Sequence, residues 1–139
     1  MMLGSWMGTD FTNDDLVKES SLRNDFVSNV DRRSASPPGW WIAVTVKPGV
    51  VGRWARIEIL IGDDGLPIEE RHFDRKGRLA RTMMFDDIRT LSGRRLPVHL
   101  VLTPTDVGGQ RTEMRYLDMQ FNAHIPDDTF SLSRLERGR

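Results

Sequence analysis

The stretch ARIEILIGDDGLPIEERHFD, Ala55 to Asp74, carries the clearest local signal in the chain. Ile57, Ile59 and Ile61 fall on one side of an extended segment, and Arg56 and Glu58 fall on the other. That is the two-residue period of a half-buried strand. GDDG, Gly62 to Gly65, then reverses the chain, because Asp-Gly tolerates the positive φ that tight hairpin turns require. LPIEERHFD returns as the partner strand.

The same grammar extends in both directions. Downstream, RKG (Arg75 to Gly77) turns into the long strand RLARTMMFDDIRTL, and SGRR turns into LPVHLVLTP. DVGG (Asp106 to Gly109) turns once more before QRTEMRYLDMQF. Asp86-Asp87 interrupts the long strand and predicts a bulge or bend. Upstream, WWIAVTV forms a strand that Pro48-Gly49 closes. Turns spaced by about 8–12 residues predict an antiparallel meander of six strands. The expected fold is mainly β (α+β) with short helices, and so small a helical lid leaves either a strongly curved antiparallel sheet or one whose concave side is filled by something else. Residues 1–139 form one domain: a helical or irregular lead-in over 1–36, the meander over 40–122 and a terminal turn over 125–136.

Composition narrows the function. The chain has 139 residues, of which 38% are hydrophobic and 29% charged, enough to bury a real core. Its net charge is 0, which removes the electrostatic argument for nucleic acid or for an anionic membrane surface. Arginine outnumbers lysine 17 to 3. Arginine suits phosphate and carboxylate recognition, and a compositional bias accounts equally for the count. There are no cysteines, so disulfides, thiolate metal sites and a cysteine nucleophile are excluded. No apolar run reaches the ~18 residues of a transmembrane helix. MMLGSWMG has neither a basic n-region nor a long apolar h-region, so it does not read as a signal peptide.

Catalytic chemistry finds little support. His72, His99 and His124 are widely spaced, and a zinc site would need the fold to gather them with a carboxylate such as Glu70 or Asp74. Neither SGRR nor SLSR has the surroundings of a nucleophile elbow. Three of the four Asp-Asp pairs (14–15, 63–64 and 127–128) sit at expected turns or helix starts. We expect no enzyme, no catalytic residue, no cofactor and no metal.

The apolar pattern is more informative. Ile57, Ile59 and Ile61 share a face, as do Met83 with Phe85, and Val98 with Leu100 and Leu102. Met114 and Tyr116 join them if the register holds, with Arg56, Glu58 and His99 turned to solvent. Four of the seven methionines (Met83, Met84, Met114 and Met119) lie on strands, and methionine adapts to variable apolar partners. Such a face either lines a cavity or forms a dry core closed by helices.

The remaining stretch is SWMGTDFTNDDLVKESSL, Ser5 to Leu22. Thr12 or Asn13 can cap a short helix with Asp14 and Asp15 in its first turn. Trp6, Phe11 and Leu16 are then expected against the sheet. This motif resembles one in the outer-membrane lipoprotein-sorting protein family, in the superfamily of the carriers LolA and LolB. The likeness continues through WWIAVTV, GLPIEERHFDRKGRLARTMMFDDI, SGRRLPVHLVL, GGQRTEMRY and IPDDTFSLSRL, from about Ser5 to Leu135.

The resemblance implies an incomplete LolA-like half-barrel, read as the C-terminal part of a longer exported protein. It implies a periplasmic or cell-envelope carrier or chaperone, working in lipoprotein sorting and transport to the outer membrane. Lipoprotein acyl chains or lipid would bind on the shared apolar face. The alternative is a sensor or accessory module that docks an envelope transporter partner on the same fold. With upstream strands absent, the first strand, Trp40 to Val46, is expected to be an open edge through which the chain self-associates.

Overall fold

The computed structural model describes residues 5–12, 21–129 and 131–137. A short helix, α1 (Ser21–Asp25), leads into seven strands: β1 (Phe26–Ala35), β2 (Pro38–Val46), β3 (Trp54–Gly62), β4 (Pro67–Asp74), β5 (Leu79–Leu91), β6 (Arg94–Pro104) and β7 (Thr112–Arg115). A second short helix, α2 (Leu132–Arg137), follows in the terminal segment, where a short helical turn was expected. The strands pair in chain order as one antiparallel sheet, and that sheet is open and curved.

The hairpin read from Ala55 to Asp74 is present as β3 and β4. Gly65 takes the left-handed conformation, φ 81°, that the turn requires. Ile57 pairs with His72 and Ile59 with Glu70. Gly39 has a different constraint. A Cβ there would stand 2.3 Å from the Ile61 carbonyl oxygen, so only glycine lets β2 approach β3 so closely.

Two expectations are corrected. Residues 26–35, assigned to a helical or irregular lead-in, form a ten-residue strand paired along β2. Among the described residues the leading edge strand is therefore β1, and Trp40 to Val46 lies inside the sheet between β1 and β3. FVSNVDRRSA lacks apolar alternation because an edge strand with little to bury has no need of it. It carries Asp31, Arg32 and Arg33 and is irregular between Val30 and Arg32, both features that blunt an edge. The Asp86-Asp87 interruption is also resolved. Asp87 has a φ of 51°, yet pairing resumes in step from Asp86 with His99 to Ile88 with Pro97, so the site is a local kink without a register shift.

The outer face is held by charged side chains over apolar ones. Trp41 is buried between two guanidiniums, Arg32 at 4.8 Å and Arg71 at 4.4 Å from its ring centre. Glu58 sits on this face, as expected, but is largely buried and receives Arg56 at 2.8 Å and Arg32 at 3.3 Å. His99 also lies there, between Asp86 at 2.6 Å and Glu113 at 3.3 Å.

Three surface aspartates link this fold to pH. Arg33 holds the Asp63 carboxyl below its ordinary range, the Arg78 backbone N–H does so for Asp74, and Arg89 followed by Arg115 does so for Asp87. Their ionised forms stabilise the fold above the unfolded value of 3.8, and that contribution is lost as pH falls through the lower folded values. The urea midpoint should therefore fall between about pH 5 and about pH 2. An Asp87→Asn variant should show a shallower fall than the parent. Equal slopes would remove Asp87 from this account.

Candidate functional site

Cross-strand neighbours share a face, so the register assigns each side chain to one side of the sheet. One row on the concave side runs Val44, Ile57, His72 and Arg81 across β2 to β5. The next runs Ile42, Ile59, Glu70, Met83, Leu102 and Thr112. A third contains Phe85, Leu100 and Met114. The isoleucines, Met83, Phe85, Leu100, Leu102 and Met114 thus lie on one face.

A cavity of about 430 Å³ opens on this face. Six of the expected residues line it: Ile57, Met83, Phe85, Leu100, Met114 and Tyr116. The other four do not. Leu102 and Val98 are 0% and 1% exposed and belong to the packed layer, while Ile59 and Ile61 are half-buried away from the cavity wall.

The segment at residues 5–12 supplies the piece that closes one side. Its main chain doubles back through a bridge between Ser5 and Thr12, and the Trp6 N–H donates to the Phe11 carbonyl at 2.7 Å. Asp10 fastens it to β7, since its N–H donates to Thr112 Oγ1 at 3.1 Å and its carboxylate accepts from that hydroxyl at 2.6 Å. Phe11, 3% exposed, packs with Met83, Leu100 and Leu102, against which Phe85, Met114 and Tyr116 also rest. Trp6 is more than a third exposed. Asp14, Asp15 and Leu16 lie outside the described residues.

Opposite Phe11, the rim consists of Leu22, Asp25 and Phe26, with Val50, Val51, Gly52 and Arg53 from the loop after β2. Arg75 pins this loop, donating to the carbonyls of Gly52 at 2.9 Å and Val50 at 2.8 Å. The Lys47 N–H donates to the Asp25 carbonyl at 2.8 Å, tying the loop to α1.

Polar groups enter the cavity where the sequence reading did not place them. His72 Nε2 lies 3.0 Å from Glu70 Oε2, and the His72 ring meets Trp54 edge-on at 5.0 Å. The guanidiniums of Arg81 and Arg53 lie 4.6 Å and 4.7 Å from the Trp54 ring centre. The signal for Glu70 and His72 was present, because a strand paired to Ile57 and Ile59 must place His72 and Glu70 beside them. EERH is polar on both faces, so its composition alone hides the phase. Among the described residues, no group of three or more His, Cys, Asp or Glu side chains is arranged to hold a metal ion.

The open, curved antiparallel sheet has counterparts among solved structures. A DUF1329 family protein from Desulfovibrio piger is similar at 17% identity and a TM-score of 0.81, over 96% of this chain and 56% of that one. A putative outer membrane lipoprotein-sorting protein domain from Vibrio parahaemolyticus is similar at 18% identity and a TM-score of 0.77, over 98% and 58%. A LolA superfamily protein from Nitrosomonas europaea is similar at 15% identity and a TM-score of 0.76, over 96% and 60%. The resemblance to the lipoprotein-sorting family holds at the level of fold, and the chain spans somewhat over half the length of each structure.

A family model described as "Uncharacterized protein" matches residues 1–137, and the chain belongs to that family. No curated protein matches it.

Proposed function

We propose that the protein is a non-enzymatic carrier or chaperone of the cell envelope, placed in the periplasm, that holds acyl chains of lipids or lipoproteins on the concave face of its sheet. The observation that carries this reading is the cavity itself. Its volume of about 430 Å³ lies within the roughly 300–1,000 Å³ typical of small-molecule sites. Its inner wall is flexible methionine and aromatic surface, which adapts to apolar chains of different shape.

Protein purified without detergent should release lipid into an organic extract, detected by mass spectrometry at about one equivalent or more. A second reading has its own support. Among the described residues no strand pairs with the outer edge of β1, Val27 and Val30 are exposed on that strand, and such an edge can accept a strand from an envelope transporter or from another copy. A lipid-free extract from protein held in a stable complex would favour that module over the carrier.

A further inference from the structure

The cavity is polar at one end and apolar at the other. Register places His72 and Arg81 in the row with Val44 and Ile57, toward the loop after β2. Met83 stands one row further in, and Phe85, Leu100 and Met114 two rows further. Arg53 and Arg75 join the polar end from the rim, and both are exposed there.

The charges at that end do not cancel among the described residues. The cavity's carboxylates are Asp25 and Glu70, and Glu70 is engaged by His72. Its rim guanidiniums are Arg53 and Arg75, against the one rim carboxylate Asp25, while the buried Arg81 has contacts of its own. Arg75 spends its hydrogen bonds on two carbonyls, which are neutral acceptors and leave its positive charge in place. Arg53 stacks on Trp54, which orients the guanidinium without neutralising it. These are cations held at the mouth of a hole whose far wall is apolar.

Resting on the carrier reading, we propose that the occupant is an amphiphile with an anionic head, its apolar part toward Phe85, Leu100 and Met114 and its head at Arg53 and Arg75. Arginine donates two parallel bonds to a phosphate or carboxylate, whereas a zwitterionic head brings its own cation into the same site. Charge complementarity at the rim therefore selects among chains of equal length.

The test uses lysophosphatidylglycerol and lysophosphatidylcholine with the same acyl chain, titrated calorimetrically below their micelle-forming concentrations. The anionic lipid should bind about tenfold tighter, in keeping with a hydrogen bond to a charged group, and added salt should erode the preference. Arg53→Gln should bring the anionic lipid down to the level of the zwitterionic one, Arg53→Lys should restore part of the difference, and Arg95→Gln should leave the preference as it is. Equal affinity for the two lipids would overturn the head-group inference while the carrier reading stands. A preference that survives in Arg53→Gln would overturn the assignment of the head to Arg53. Binding of neither lipid would overturn both readings.

Discussion

Replacing Leu102 by alanine should destabilise the fold by about 2–5 kcal/mol and lower the melting temperature by roughly 5–20 °C. Leu102 is 0% exposed and packs beneath Phe11 beside Met83 and Leu100. Truncation removes apolar atoms from water-free contact and leaves a void, and both terms have the same sign. The neighbours cannot easily collapse into the gap, because Phe11 is tethered through Asp10 to Thr112 and the others are fixed by strand pairing. Differential scanning calorimetry measures the shift. A melting temperature within about 2 °C of the parent would mean that this position is not in a packed core.

On the carrier reading, the second large effect is on binding. Leu100 stands two residues earlier on the same strand face and lines the cavity. A Leu100→Glu side chain can reach water through the opening, so the protein should remain folded while lipid uptake falls by about 100-fold. That factor corresponds to losing contact with some three or four methylenes at about 0.8 kcal/mol each. A Leu102→Glu change should instead unfold the domain, because its carboxylate would have neither water nor a partner. Circular dichroism and a lipid-binding titration on both variants decide the matter. If Leu100→Glu unfolds as completely as Leu102→Glu, the face is a dry core and the carrier reading fails. Unchanged folding with unchanged uptake would show that position 100 does not face the occupant.

Much of this architecture could be read from residue order. The β3–β4 hairpin is written in alternating isoleucines and GDDG, and the strands from β2 to β7 follow from similar alternation between turns. β1 escaped because alternation records burial rather than extension, and FVSNVDRRSA buries little on either face. The ten residues of the expected apolar face divided for a related reason. Strand phase tells which side a residue faces, but not whether the chain packs over it. Leu102 and Leu100 both pack with Phe11, a residue far away in sequence, yet of the two only Leu100 also lines the cavity. Glu70, His72 and Arg81 were missed because polar residues on the inner face contradict the simple rule of apolar inside and polar outside.

The rim of the cavity is anchored in a way that separates its position from its identity. Arg75 grips the loop after β2 through the carbonyl oxygens of Val50 and Gly52, atoms that every amino acid carries. Val51, 92% exposed between them, contributes nothing that the grip requires. Side chains on this rim can therefore be exchanged while the main chain stays seated. On the carrier reading, the same scaffold could be retuned from one occupant to another by successive single changes at the loop, each made without dismantling the barrel wall.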